Sequence, residues 1–396
     1  MTRAPHTEVL IAGDGLAALT MALSLKTACP ELTVGLLSPK GPPALPSTWD
    51  LRVYAIAQPL ERLLNTTGAW PLMRHRVSQM IERMVIWDHR DQPQSPNALT
   101  FGAEHTGQSH LGMMLEQADV QQALWQRLQQ LGVDVVNAPV TDVRFTPEWV
   151  YVEGAPVALK AKLLIAADGQ HSALRQQAGL QWREKRYDQT AIVGHFTTVE
   201  GHRNTAWQRF LPTGPLALLP LAQGKVSCVY SLPHALAERW MSASASEFAQ
   251  EITRQSAAVL GDLTSDSERA SFALRFGGLT RYARARMAFV GDAAHLVHPL
   301  AGQGINQGIQ DVLALTETVA DAHRRGQDVG DSIPLMAYSR RRCAQNAVMG
   351  TSIDGIFELF QSTSALASMA RRGGFHALNR MPILKSQLAR RAMGVS

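Results

Sequence analysis

Three apolar runs, far apart in a chain of 396 residues, each end in a turn bearing glycine and aspartate and lead into helix-forming sequence. They are "TEVLIAG" at 7–13, "AKLLIAADG" at 161–169 and "ARMAFVGDAAH" at 285–295. Runs that stay apolar throughout, without polar alternation, suit strands of a parallel sheet covered on both faces. The first leads into "LAALTMALSLKTA" and then "LTVGLLS", the strand, helix, strand order of an opening βαβ unit. The other two return to the same architecture after long excursions, so the α/β domain is built from discontinuous pieces.

The excursions have a different grain. Residues 80–105 and 188–233 read as antiparallel strands and hairpins, with "AQGK" at 222–225 closing one of them. From about residue 308 the pattern is helical, with no repeat. The expected organisation is a first domain of 1–79, 106–187 and 276–345, an inserted antiparallel domain of 80–105 and 188–275, and a C-terminal helical segment, 346–396.

Each turn has a chemical reading. Gly13 and Gly15 stand where a tight turn and a close backbone approach to a pyrophosphate exclude side chains, and Ala18 is an accepted small residue for helix-to-strand packing. Asp14 inside that loop would repel a pyrophosphate by about 1 kcal/mol, so it is expected to point outward. The second strand offers Ser38 where an acid would receive ribose hydroxyls about 20 residues on. Taken alone, this unit fits either a dinucleotide site or the glycine-rich turn of an ordinary α/β protein. Asp168 and Gly169, with Ser172 and Arg175 following, and Asp292, with Pro299, Gly302, Gln303 and Gly304 following, add two more nucleotide-compatible strand ends.

Composition narrows the alternatives. Cys29, Cys228 and Cys343 form no CxxC pair, which excludes a zinc ribbon and a disulfide framework and suggests a reducing, cytoplasmic setting. His295 and His298 are spaced like a metal pair on a helix, but no third ligand accompanies them, and no metal is expected. Neither a secretory signal nor an apolar stretch of about 20 residues is evident, so the chain is expected to be at most peripheral to a membrane. Of the net charge of +5, the segment 339–396 carries more than the whole: nine Lys or Arg against Asp354 and Glu358. Its charges alternate with Leu, Ile, Met and Phe rather than with base-stacking motifs, which argues against nucleic acid. A helix face toward anionic lipid or a partner, or a simply solvated face, fits the pattern.

The ordered set GxGxxA, DG with Ser and Arg, and GDAAH…P…GQG resembles the class A flavin-dependent aromatic hydroxylases, the p-hydroxybenzoate hydroxylase fold group. Finer segments are similar to the ubiquinone-biosynthesis hydroxylases acting on polyprenylated phenols: "DLRVYAIA" (50–57), "LEQADVQQAL" (115–124), "AWQRFLPTGPLALLPL" (206–221), "HPLAGQGINQGIQDV" (298–312) and "LNRMPILKSQLARRAMG" (378–394). The resemblance runs nearly end to end. It implies a Rossmann-type FAD domain with an inserted antiparallel substrate domain, FAD as resident cofactor, NAD(P)H as transient electron donor, and O2 and a polyprenylated phenol as substrates. It also implies that Gly13, Gly15 and Ala18 line the pyrophosphate, Ser38 and Gln117 lie toward the adenosine end, and Arg52 sits near the flavin. Asp168 and Gly169 would close the cleft, Asp292 would take the ribityl hydroxyls, and Pro299, Gly302, Gln303, Gly304, Ile305 and Asn306 would border the ring. Phe210, Leu219, Pro220 and Pro299 are candidates to position the substrate ring; no protein acid or base is expected, because the chemistry is the cofactor's. Ser38, Asp14 and Gln117 depart from the family's pattern. They leave two alternatives standing: a hydroxylase for another aromatic compound, or a non-catalytic member serving as scaffold or lipid-binding protein in the quinone-biosynthesis assembly.

Overall fold

The computed structural model describes residues 6–154, 157–297 and 303–361, together with 374, 376, 379–381 and 385–387. Along the chain come β1 (His6–Ala12), α1 (Leu16–Ala28), β2 (Val34–Leu37), β3 (Val53–Ile56), α2 (Gln58–Thr66), β4 (Gln79–Ile81), β5 (Arg83–Asp88), β6 (Leu99–Gly102), β7 (Gly112–Glu116) and α3 (Gln117–Gln130). There follow β8 (Asp134–Val136), β9 (Asp142–Phe145), β10 (Val150–Gly154), β11 (Val157–Ala166), α4 (Ala173–Gln177), β12 (Trp182–Thr198), β13 (Thr205–Leu211), β14 (Gly214–Pro220), β15 (Lys225–Pro233), α5 (His234–Ser242) and α6 (Ala245–Gln255). The last elements are β16 (Leu263–Ser265), β17 (Ala270–Leu279), β18 (Ala283–Arg284), β19 (Met287–Phe289), β20 (His295–Leu296), α7 (Gln303–Arg324) and α8 (Ser332–Gln361).

The first sheet runs β19, β11, β1, β2, β8 in parallel, with β18 antiparallel on β19 and the β9–β10 arm folded onto β11. Helix α1 is apolar on nearly every side, and a helix of that kind must be buried. Nine of its residues from Leu16 to Leu25 are, and it packs against both α3 and α7. Register brings the three runs level: Ala12 pairs with Ala166, and Ala166 with Phe289. Their glycine- and aspartate-bearing turns therefore leave the same edge of the sheet side by side.

The second sheet has the order β20, β17, β12, β15, β14, β13, β5, β6, with β16 on β12. It is antiparallel except for the parallel pair β13 and β5, in keeping with a mostly antiparallel insert. The 222–225 turn closes β14 onto β15 with Gln223 at φ 61° and Gly224 at φ 72°, the left-handed pair that matches strand twist in a two-residue hairpin. One face of this sheet buries Ile192, Phe196, Leu216, Leu218, Val226 and Tyr230 against Phe248 and Ile252 of α6. The other face turns toward the first domain: Ala206 and Leu219 pack against Val53, Ala55 and Met114 of a small third sheet, β3, β7, β4.

The sheets draw the boundaries a few residues from those expected. Gln79–Ile81 belongs to the small sheet, while β12 begins at Trp182 and β17 runs on to Leu279, so that two long strands tie the domains together. Helix α8 passes unbroken through the expected division at 345/346. Of the basic residues in the tail, Arg342 and Lys385 are buried and so do not contribute to an exposed basic face. Asn379 Nδ2 donates to Ala98 O at 2.7 Å and Ser386 Oγ to His105 O at 2.7 Å, placing these tail positions against the β6 region.

Candidate functional site

At the level edge, Ala167 N donates to Ala12 O (2.8 Å) and Val290 N to Ala166 O (3.1 Å), stitching the three turns together. Gly13 has φ +143°, and a Cβ there would stand 2.2 Å from Ala167 O, so no other residue allows the two strand ends this approach. Ala18, fully buried, fills the space next to Gly13. Gly15 caps α1 with no side-chain hydrogen bond, the first turn holds no acid, and nothing lies within 4 Å of where its Cβ would be. Free amides at a helix N-terminus facing open space are what an anionic phosphate group requires.

Asp14 does not point outward. It is half-buried, and its Oδ2 is enclosed without a partner, while Gln121 Nε2 donates to its carbonyl at 3.2 Å. Ser38 is fully buried at the end of β2, and its hydroxyl accepts from Gly41 N at 3.3 Å.

The second and third turns meet through Arg175. Its Nη1 donates to Asp292 O (3.2 Å) and Ala293 O (3.4 Å), its Nη2 to Gln170 O, and the guanidinium lies 4.0 Å over the Trp182 ring. Asp168 accepts from Leu174 N at 3.3 Å through Oδ2, leaving Oδ1 enclosed and unpaired. Burial pushes the Asp168 carboxyl above the ordinary range, opposed by Ser172; Asp292, exposed at the same edge, is raised by the protein packed around it and lowered by His295 and Arg175. An enclosed carboxylate oxygen without a donor is suited to a ligand hydroxyl.

Strand β3 supplies the opposite wall. Tyr54 donates to Gln117 Oε1 at 2.6 Å, and Gln117 Nε2 in turn donates to Gln121 at 3.1 Å. Burial, then the neighbouring Asp292 charge, raises the Tyr54 phenol, against the pull of Arg52; these three residues thus share one electrostatic neighbourhood. Arg52 itself is exposed, its carbonyl accepting from Gln117 N at 2.9 Å.

Helix α7 starts at Gln303 with no acid in its first turn. Ile305 packs on the main core. Asn306 clamps β3 to the helix: its Oδ1 accepts from Ala57 N (2.8 Å) and its Nδ2 donates to Ala55 O (3.0 Å). Pro299, Gly302 and His298 lie outside the described residues, as does the side chain of Gln303.

Behind the third turn sits a charged cluster. Asp311, with no exposed surface, accepts from His295 Nε2 (2.5 Å), Arg342 Nε (2.7 Å) and Gly291 N (3.0 Å). Burial drives its carboxyl up, but His295 and Arg342 outweigh that and hold it below the ordinary range. His295 thus faces Asp311 through Nε2, and no group of three candidate metal ligands occurs among the described residues. The sequence assigns no role to Tyr54, Gln121 or Asp311 and counts Arg342 only among the basic residues of the tail; each acts through contacts across long loops, and no local pattern announces them.

Of the expected ring-positioning residues, Phe210 and Leu219 face the first domain, whereas strand alternation turns Pro220 to the helix-covered face with Leu216 and Leu218.

The chain matches the family model described as an FAD binding domain over residues 64–351. It belongs to that family. It is 34% identical to ubiquinone hydroxylase UbiL of Rhodospirillum rubrum, over 98% of this chain and 89% of that protein. Against 3-demethoxyubiquinol 3-hydroxylase of Escherichia coli the identity is 29%, with both chains covered in full. Among solved structures, p-nitrophenol 4-monooxygenase PnpA of Pseudomonas putida superimposes with a TM-score of 0.76 at 17% identity, over 98% and 97% of the two chains. Klebsiella pneumoniae HpxO complexed with FAD and uric acid superimposes with a TM-score of 0.74 at 17% identity, over 97% and 96%. The fold is thus that of the p-hydroxybenzoate-hydroxylase-like monooxygenases, and FAD is the cofactor that the open helix terminus at Gly15 and the unpaired acid at Asp168 fit.

Proposed function

We propose that this protein hydroxylates the aromatic ring of a polyprenylated phenol in ubiquinone biosynthesis, consuming NAD(P)H and O2. One oxygen atom enters the ring and the other leaves as water, with the electron pair drawn from NAD(P)H. The observation that carries the reading is the level register of three distant strand ends, together with a second sheet whose near side packs Ala206 and Leu219 against β3. Identity of 34% to a ubiquinone hydroxylase over 98% of the chain supports the substrate class.

In this reading Gly13, Gly15 and the α1 amides hold the pyrophosphate, with Ala18 keeping the helix close. Ser38 and Gln117 lie toward the adenosine, Asp168 and Gly169 close the cleft, and Asp292 takes the ribityl hydroxyls. Arg52 and the α7 terminus, with Pro299, Gly302, Gln303, Gly304, Ile305 and Asn306, border the ring. When bound and reduced by NAD(P)H, FAD would supply the activated oxygen. The first turn of α7 directs partial positive charge at the site, which would favour negative charge on a group held there. Phe210 and Leu219 on the facing sheet keep water from the reacting ring, which otherwise diverts reducing equivalents to hydrogen peroxide. The basic tail brings the protein to the inner surface of a membrane, where such a substrate resides; a truncation before Ala370 that left vesicle binding unchanged would remove this part.

The test is direct. The purified protein should be yellow or take up added FAD. With NAD(P)H, O2 and a short-chain prenylphenol it should give a product heavier by one oxygen. Failure to bind FAD, or NAD(P)H oxidation that yields only peroxide with every phenol, refutes the reading.

A further inference from the structure

On the near side of the second sheet, burial is uneven in a regular way. Ala191, His195, Phe210, Leu219 and Ala206 are buried, whereas a row between them is half-exposed: Ile86 on β5, Ala217 on β14, Val229 on β15 and Val193 on β12. These are cross-strand neighbours, since Ile86 pairs with Gln208, Gln208 with Ala217, Ala217 with Val229 and Val229 with Val193. An accessible apolar row between two buried ones is the floor of a groove crossing the strands. One bank is the cluster of Leu219 and Ala206 with Val53 and Ala55 of β3, the strand that Asn306 fastens to the start of α7. The other is the cluster of Phe210, Ala191 and Leu274 with Phe276 and Met349.

The single polar residue of that floor is Gln208. It shares a face with Ala206 and Phe210 by strand alternation. It is 6% exposed and makes no side-chain hydrogen bond among the described residues, and its amide is not among the enclosed polar atoms, so it opens onto the groove. An amide at the floor of an apolar groove, with no partner in its own sheet, is placed to hydrogen-bond an occupant of the groove. Nothing in the packing of the sheet accounts for a glutamine here.

We propose that Gln208 is a specificity-determining residue that recognises the ring oxygen of the phenol substrate. Its Nε2 donates to that oxygen and its Oε1 accepts the phenolic O–H, while Ile86, Ala217, Val229 and Val193 carry the ring's apolar face and the start of its tail. The inference rests on the hydroxylase reading above and names the residue by which the site tells a phenol from a hydrocarbon. A pocket built to hydrogen-bond a hydroxyl discriminates strongly against a ligand that lacks it, because its own polar group is then stranded.

The experiment compares the FAD-loaded wild type with Gln208→Leu, and with Gln208→Met as a second variant should the first fold poorly. A short-chain prenylphenol and the matching prenylbenzene, which lacks the hydroxyl, are each titrated. Binding is read from the change in flavin absorbance, and KM and kcat are measured for the phenol. The wild type should bind the phenol about tenfold more tightly than the hydrocarbon. The variants should bind the two alike, with KM for the phenol raised about tenfold, while FAD affinity and melting midpoint stay at wild-type values. Variants that keep the wild-type preference overturn the role of Gln208 and leave the hydroxylase reading standing. A yellow wild type that neither binds nor hydroxylates the phenol overturns both.

Discussion

Replacing Asp311 with asparagine isolates the charge at the centre of the cluster behind the third turn. The substitution keeps the shape, but its amide nitrogen must face either Arg342 Nε or the pair His295 Nε2 and Gly291 N, donor against donor. Arg342, 4% exposed, retains only neutral acceptors, Gln307 O at 3.2 Å, Asn346 Oδ1 at 2.8 Å and Gln345 Oε1 at 2.6 Å. Removing one member of a buried, hydrogen-bonded ion pair costs about 3–5 kcal/mol, because the other charge stays behind uncompensated. Urea unfolding should show a loss of that size for Asp311→Asn. The double variant Asp311→Asn, Arg342→Leu should be less destabilised than the sum of the two singles by about 1–3 kcal/mol. The pH dependence has a fixed sign: Asp311 is held below its unfolded value, so its contribution is present above about pH 4 and is lost as pH falls through the folded value. The variant should therefore lack part of the wild-type acid limb. A single-variant loss under about 1 kcal/mol, or strict additivity in the double, would refute the reasoning.

Two further outcomes are expected. Gly13→Ala should unfold at markedly lower urea than wild type, since its Cβ meets Ala167 O at 2.2 Å, whereas Gly15→Ala, with open space and φ −81°, should keep the wild-type melting curve and weaken only FAD binding measured by fluorescence; equal melting curves for both contradict the geometry. His195, 1% exposed, is held below its ordinary range by burial, against the pull of Asp266, Asp50 and Glu116 and with the help of Lys225, so it is neutral when folded and the stability it confers is present above about pH 6.5 and lost as pH falls below that. His195→Gln should flatten the fall in melting midpoint between pH 7 and 5; an unchanged slope would assign that fall to other groups.

The parts that were legible in the sequence are those fixed by neighbours in the chain. Gly13 and Gly15 sit in a turn whose conformation their own backbone requires, and the apolar runs ending at Ala12, Ala166 and Phe289 declared parallel strands before any pairing was known. Orientation within the second sheet was hidden for a definite reason. Both faces of β14 are covered, one by helices and one by the first domain, so "GPLALLP" is apolar throughout and carries no alternation to say that Leu219 faces the cleft and Pro220 does not. Asp14 turns inward beside a backbone carbonyl that Gln121 of α3 holds from 107 positions away, a contact no local pattern shows. The tail misled in a similar way: Arg342 counted as surface charge until packing showed it bound to Asp311.

Both ends of the Asn306 side chain are spent on the main chain of β3, one on Ala57 and one on Ala55. A side chain used like a rivet cannot also follow a moving ligand. If α7 shifts, β3 must travel with it, and Leu219 and Ala206, which lean on Val53 and Ala55, must yield at the same time. One displacement at the start of the helix would then reshape a wall of the groove on the second sheet.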